Sequence, residues 1–150
     1  MSYSYCNLLY HVVFSTKSHK AWLKGEICPR VHEYIGGVIR GENGIAFVVN
    51  GTQDHIHILA KLRQDRAVSD LVRAIKANSS RWIHRTFPNY KDFVWQKGYG
   101  AFTVSVSQME KVRNYIQNQK EHHKKIPFKE EFITLLKLHG IKFEEKYLWD

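Results

Sequence analysis

The sequence predicts an α+β fold of the ferredoxin-like type, in which an antiparallel sheet carries helices packed on one face. β-branched and aromatic runs alternate with amphipathic segments in the order β-α-β-β-α-β, and further helices follow. An Asn50-Gly51 turn signal separates two of the strands, as in a hairpin. The 150 residues, 43% of them hydrophobic, suffice for one domain with its own core, and we find no repeat or linker.

The first half of the chain supplies three strands and one helix. Leu8 to Ser15 is apolar and predicts the first strand. Pro29 indicates a helix start, and apolar residues at three- and four-residue spacing continue the helix to Gly41. Ile45–Asn50 predicts the second strand, and the residues after Gly51 predict the third.

The second half predicts helices around one more strand region. Ala67–Phe87 is a long amphipathic segment that ends before Pro88. Phe93–Trp95 and Ala101–Ser105 are typical of strand pieces, interrupted by a glycine-containing turn.

Ser107 and Glu110 have the spacing of a capping box, which predicts the start of a tyrosine-bearing helix over about 107–124. A last helix over Lys129–Leu138 and an apolar tail follow, so we expect one domain over 1–150 with its C-terminal helix and tail at about 128–150. The sequence leaves open whether this tail packs on the sheet or on a partner.

The charge balance favours a polyanionic partner. Lys and Arg number 23 against 14 Asp and Glu, which gives a net charge of +9, and the pI is near 9.6. For a compact domain, nucleic acid is a commoner polyanionic partner than a membrane surface, and the alternative is a basic protein whose charge serves only solubility. Cys6 and Cys28 form no Cys-x-x-Cys motif, so reduced thiols are expected. With no apolar segment of membrane-spanning length and no signal peptide, we expect a cytoplasmic protein without a membrane partner.

A histidine pair is the strongest candidate for chemistry. His55 and His57 lie in a segment that alternates polar and apolar residues, so a strand would direct both imidazoles to one face and Ile56 and Ile58 to the other. Two such imidazoles can bind one metal ion. Leu59 takes the place of the third histidine that histidine-triad hydrolases need, and the His-Glu-x-x-His motif of zinc proteases and the paired His-x-Thr/Ser motifs of two-histidine phosphoesterases are absent. The histidine–hydrophobe–histidine motif of HUH nucleases remains.

A second candidate group lies about sixty residues later. Tyr115 and Gln119 are one helical turn apart, and Val112 and Ile116 supply the core-facing contacts of the same segment. A nucleophile and an amide oxygen with this spacing could share one metal-centred site with the histidines. We expect His122 and His123, two turns beyond Tyr115, to be exposed histidines on a basic helix, and the alternative is that they support proton transfer or contact DNA.

Together these motifs make the chain similar to the single-tyrosine HUH transposases (TnpA) of the insertion-sequence-200/605 family and to the related REP-associated tyrosine transposases. The resemblance covers nearly the whole chain. It rests on His55-Ile56-His57, on Tyr115-Ile116-Gln117-Asn118-Gln119, and on the stretches Tyr10–Thr16, Phe93–Tyr99 and Tyr147–Trp149.

The resemblance implies a mechanism. His55, His57 and Gln119 would bind a divalent ion, Mg²⁺ or Mn²⁺, and Tyr115 would attack the DNA to leave a 5′-phosphotyrosine link. No nucleotide triphosphate is required, because the covalent link retains the energy of the broken bond. The substrate would be single-stranded DNA with hairpin ends. A homodimer with composite active sites is also implied, and whether the tyrosine helix serves its own or its partner's histidines stays open.

Basic and aromatic side chains are the candidate DNA contacts, since they neutralise phosphates and stack on unpaired bases. These candidates are Arg73, Lys76, Arg81, Lys97 and Tyr99. Two alternatives to a mobile-element transposase stay open: a domesticated REP-associated relative with the same chemistry, and a non-catalytic regulator that binds hairpin DNA.

Overall fold

The fold is built on a four-stranded antiparallel sheet, as described by a computed structural model of residues 3–149. The strands are β1 (Leu8–Ser15), β2 (Ile45–Gly51), β3 (His55–Leu62) and β4 (Gly100–Thr103), in the order β2-β3-β1-β4. β1 and β3 are central, so their side chains are covered on both faces. The predicted α+β class and hairpin are confirmed.

Two long helices cover one face of this sheet. α1 spans Ile27–Gly41 and α2 spans Val68–Thr86. Both bury their apolar stripes in one core, into which β1 and β3 send Val12, Phe14, Ile56 and Ile58. The helix periodicity of the sequence therefore predicted both segments to within one or two residues.

The C-terminal elements cover the opposite face. They are α3 (Met109–Gln117), the short α4 (Gln119–His122) and α5 (Phe128–Leu138). A second core forms between the sheet and α5, from Val13, Phe102, Phe128, Phe132, Leu135 and Leu136. Phe143, Leu148 and Trp149 pack against it, so the tail lies on its own chain as far as the structure describes it; Asp150 is outside the described residues.

Two predicted elements are wrong. Phe93–Trp95 is not a strand, because only Trp95 pairs, in an isolated bridge with Thr16, while the Phe93 amide closes a turn onto the Tyr90 carbonyl. The capping box does not form either. Ser107 lies inside a 3-10 turn, Val106–Gln108, where its hydroxyl pairs with that of Ser105, and α3 begins only at Met109.

The tyrosine helix is also shorter than predicted. Instead of running from 107 to 124, it stops at Gln117, and Asn118 (φ −96°, ψ 19°) separates α3 from α4. Asn50 explains where the helix ends, because its side-chain amide donates to the carbonyl oxygens of Ile116 (2.9 Å) and Gln117 (3.2 Å). Capping of these last carbonyls fixes the end of α3 to the β2–β3 hairpin. Within residues 3–149, no helix is long and apolar enough to cross a membrane.

Candidate active site

The β3 strand positions the two histidines on the face covered by the C-terminal helices. Both side chains are completely buried, and Ile56 and Ile58 point into the opposite core. The alternation predicted for this strand is therefore confirmed. The β1 register places Val13 beside His57 and Ser15 beside His55, so the pair stands at the centre of the sheet rather than at an edge.

The end of α3 brings the tyrosine to the same place. The Tyr115 ring lies 5.8 Å from the His57 ring, centroid to centroid, and Gln119 is fully buried with its Oε1 2.9 Å from Nε2 of His55. The break at Asn118 falls between the two residues without separating them. The structure thus gathers all four residues of the predicted site around one point in a single chain.

A fifth residue, which the sequence analysis missed, lies at that point. Glu131 of α5 is 3% exposed, and Nε2 atoms of His57 and His123 each lie 2.9 Å from its Oε1. Its Oε2 accepts a hydrogen bond from the Tyr115 hydroxyl and a second one, of 2.9 Å, from the Gln119 side-chain amide. The signal was present in the sequence: Glu131 lies three residues after Phe128 and four before Leu135, within the apolar stripe of α5.

The expectation of exposed histidines is wrong for His123. Its side chain is only 9% exposed, because α4 turns it toward Glu131. His122 is more accessible, at 28%, with its Nε2 3.5 Å from Oε2 of Glu131. The side chains of His122 and His123 therefore both face the site, and that of His122 is also partly exposed to solvent.

A third buried histidine supports the pair from behind. The Nε2 atom of His11, on β1, lies 2.8 Å from the Nδ1 atom of His57. Burial lowers the pKa of His11 to about 3, so this ring stays neutral at physiological pH. Such an outer contact fixes the orientation of a ligand imidazole and the nitrogen that carries its proton.

The buried charges balance around Glu131. Burial alone would raise its pKa, but hydrogen bonds from His123 and His57 hold the pKa well below the usual range for a carboxyl group. Burial lowers the pKa of His57 to about 4 in spite of the Glu131 bond. The pKa of His123 is raised instead, because the hydrogen bond and charge of Glu131 outweigh its burial. Burial therefore keeps the His57 ring neutral at physiological pH, whereas the carboxylate of Glu131 favours the protonated ring of His123.

The donor set fits a metal ion. His55 directs Nδ1 at the Asp54 carboxylate (2.8 Å), which leaves Nε2 directed at Gln119 Oε1. The Gln119 amide cannot be reversed without losing its bond to Glu131. Two acceptors that face each other this closely need a proton or a metal cation at the imidazole nitrogen. Ligand atoms of four residues lie within 4.8 Å of one another: His55, His57, His123 and Glu131.

The predicted DNA contacts lie elsewhere. Arg73 and Arg81 are exposed on α2, where they pair with Asp70 and Asn78. Lys76 donates to the carbonyl oxygens of residues 96–98 and so fixes the turn that carries exposed Lys97 and Tyr99. Burial lowers the pKa of Lys76 to about 8, but three carbonyl acceptors favour the ammonium form, and we take it as charged at neutral pH. This internal role was not foreseen for Lys76.

Comparison with known proteins places this arrangement in a family. The family model for IS200-like transposases matches residues 4–119, which include the histidine pair, Tyr115 and Gln119. The chain belongs to the IS200-like transposase family. The match ends before α5, so Glu131 lies outside it.

Individual transposases of this family are distant in sequence. The ISDra2 transposase TnpA of Deinococcus radiodurans is 26% identical over 118 residues, which cover 75% of this chain and 84% of that protein. The IS200 transposase of Salmonella typhimurium is 27% identical over 124 residues, covering 79% and 80%.

Two solved structures share the fold. A transposase of Deinococcus radiodurans superposes with a TM-score of 0.67 at 22% identity, covering 79% of this chain and 95% of that one. A REP-associated tyrosine transposase, solved bound to a REP hairpin, gives a TM-score of 0.63 at 14% identity, covering 84% and 76%. The predicted resemblance to this family is thus confirmed.

Proposed function

We propose that this transposase cleaves and rejoins single-stranded DNA at hairpin-marked element ends, with Tyr115 as the nucleophile. One observation carries the proposal: the Tyr115 hydroxyl and the His57 imidazole bind the two oxygens of one buried carboxylate. A protein that only binds DNA does not require a phenol beside a buried histidine pair.

The reaction is a transfer of the phosphoryl group to tyrosine. The Tyr115 oxygen forms a bond to phosphorus, the bond from phosphorus to the 3′ oxygen breaks, and the phenolic proton is lost as the leaving oxygen gains one. The products are a 5′-phosphotyrosine and a free 3′-hydroxyl. Rejoining is the reverse attack by a 3′-hydroxyl, so no nucleotide triphosphate is consumed.

His55, His57 and Gln119 would hold the divalent ion, Mg²⁺ or Mn²⁺, through two imidazole nitrogens and an amide oxygen. Such an ion, when bound, polarises a phosphate oxygen and offsets negative charge in the transition state. His11 keeps the His57 ring in place from the β1 side, and Asp54 does the same for His55.

The tyrosine needs positive charge nearby before it can react. Burial, and then the negative charge of Glu131, raise the pKa of Tyr115 far above its ordinary value near 10. The chain alone therefore holds the nucleophile protonated. This is the charge state expected of a site that acts only when a cation is bound.

DNA is the partner that the positive charge of the chain supports. A net charge of +9 favours a polyanion, and a structural relative was solved with a hairpin. The alternative of a domesticated enzyme acting on genomic palindromes has the same chemistry and differs in genomic context: flanking element ends favour a transposon, and isolated repeats favour the domesticated relative. A non-catalytic regulator predicts hairpin binding without cleavage.

A homodimer with composite sites remains a prediction from the resemblance. Tyr115 lies beside the histidines of its own chain, so exchange of α3 between protomers is not needed to assemble the four residues. Light scattering at high protein concentration tests the dimer, and a stable monomer contradicts it.

The decisive experiment looks for the covalent link. Labelled single-stranded DNA with candidate hairpins is incubated with the protein and Mn²⁺ or EDTA and analysed on a denaturing gel. We expect a metal-dependent adduct that is lost in Tyr115→Phe and in His55→Ala, and kept in the control Tyr147→Phe, at a residue that is 64% exposed. Adduct formation by Tyr115→Phe at the parent rate would refute the assignment.

A further inference from the structure

Glu131 occupies the centre of the site although it comes from a helix that lies beyond the residues matched by the family model. Its Oε1 is the meeting point of three imidazole nitrogens: Nε2 of His57 and of His123 at 2.9 Å, and Nε2 of His55 at 3.5 Å. Convergence of three imidazoles on one buried oxygen is the arrangement of a ligand cluster, since ligand atoms around one ion lie about 3 Å apart.

We propose that Glu131 is a protein ligand of the divalent ion, so that the C-terminal helix α5 completes the metal site. This inference rests on the proposed metal-dependent function and extends it by one ligand from a helix outside the family match. It makes docking of α5 part of metal binding.

Charge supports the assignment. Two imidazoles and an amide would leave both positive charges of the ion uncompensated in a place where His55, His57 and Gln119 are fully buried. Burying a charge without a partner is costly, and one carboxylate halves the net charge of the cluster. A carboxylate oxygen also shifts the preference of a nitrogen-rich site toward Mg²⁺ and Mn²⁺.

The second oxygen of Glu131 gives the ligand a positioning role. Oε2 accepts hydrogen bonds from the Tyr115 hydroxyl and the Gln119 amide. The carboxylate thereby ties the proposed nucleophile and a proposed ligand to the histidines. Glu131 holds these groups in one arrangement, and the chemistry stays with Tyr115.

The packing of α5 makes the connection rigid. Phe128 stacks on His55 with ring centroids 4.3 Å apart, and Phe128 and Phe132 belong to the core beneath the helix. Glu131 stands between these two aromatic anchors, so its carboxylate reaches the histidines only when α5 is docked. Substitution of Glu131 alone removes the proposed ligand and leaves the Phe128 and Phe132 contacts that dock α5.

The test measures metal binding directly. Mn²⁺ is titrated into the full chain, and bound ion is followed by calorimetry and by the loss of the free Mn²⁺ electron paramagnetic resonance signal. The variants are Glu131→Gln, His57→Ala and the control Glu130→Gln, a neighbouring exposed carboxylate. Loss of even an outer-shell partner lowers metal affinity by about 10- to 100-fold, so we expect Glu131→Gln to weaken Mn²⁺ binding roughly a hundredfold and Glu130→Gln to leave it unchanged.

The variants separate the possible failures. Equal or tighter binding by Glu131→Gln, together with weak binding by His57→Ala, overturns the ligand assignment and identifies the carboxylate as a competitor of the ion. Parent-like binding by both variants overturns the proposed histidine metal site as well. Circular dichroism in EDTA checks folding; if Glu131→Gln is unfolded, Glu131→Asp, which keeps the charge on a shorter stem, must show weakened binding for the assignment to stand.

Discussion

Acid should destabilise the metal-free protein through His11, which the fold keeps neutral. The folded-state pKa of His11 is lowered from 6.5 to about 3, because the ring is buried in the sheet beside His57. The unfolded chain therefore takes up a proton first as the pH falls. The contribution of His11 to stability is fully present above pH 6.5 and is lost progressively between pH 6.5 and 3.

The magnitude follows from the difference between the two pKa values. Each pH unit within this window costs about 1.4 kcal/mol, so His11 alone should reduce the free energy of unfolding by about 2–3 kcal/mol between pH 7 and pH 4.5. His11→Gln removes the titration but keeps an amide that can donate to His57 Nδ1. Between pH 7 and pH 4.5, the free energy of unfolding of the variant should therefore fall by about 2–3 kcal/mol less than that of the parent.

Urea unfolding in EDTA at pH 7, 6, 5 and 4.5 measures this difference. Val13→Ala is the matched control, since Val13 is fully buried on the same strand and face but does not titrate. It should lower stability by about 2 kcal/mol at every pH without changing the pH dependence. Parallel pH profiles for His11→Gln and the parent would show that His11 is not held neutral by burial.

Two further predictions concern the hairpin and the DNA surface. A Cβ at Gly51 would lie 2.1 Å from the His55 carbonyl oxygen, so Gly51→Ala should cost about 3 kcal/mol in urea unfolding, whereas Gly98→Ala, with nothing within 4 Å, should be nearly neutral. Parent-like stability of Gly51→Ala contradicts the close approach of β2 and β3. If the exposed guanidinium of Arg81 contacts a phosphate, Arg81→Ala should make hairpin binding less salt-dependent. The fall of log affinity with log salt concentration should become less steep by about one. An unchanged slope removes Arg81 from the interface.

The strands and long helices were predictable because their signals are local. The alternation through His55–Leu62 needs only the period-2 geometry of a strand, and the apolar spacing of α1 and α2 needs only the helical period. Both rules act between residues a few positions apart. The histidine pair was therefore placed correctly on one face, with Ile56 and Ile58 on the other.

Local signals failed at both ends of the tyrosine helix, through a competing local hydrogen bond at its start and a distant contact at its end. The capping pattern at Ser107 was correct in spacing, but Ser107 pairs with Ser105, so the helix starts later. The end of α3 is set by Asn50, whose amide reaches carbonyl groups 66 and 67 positions away. No window of sequence around the tyrosine contains that information.

The sequence by itself identified the four residues around which the candidate site is built, because two short motifs with strand and helix spacing carry them. Only the tertiary structure brought in Glu131, which meets His57 across 74 positions of the chain. It also turned His123 inward and placed α5 over the histidine face. A buried glutamate looks like any helix glutamate until packing removes the water around it, and the cost of that burial is what requires cationic or donating partners.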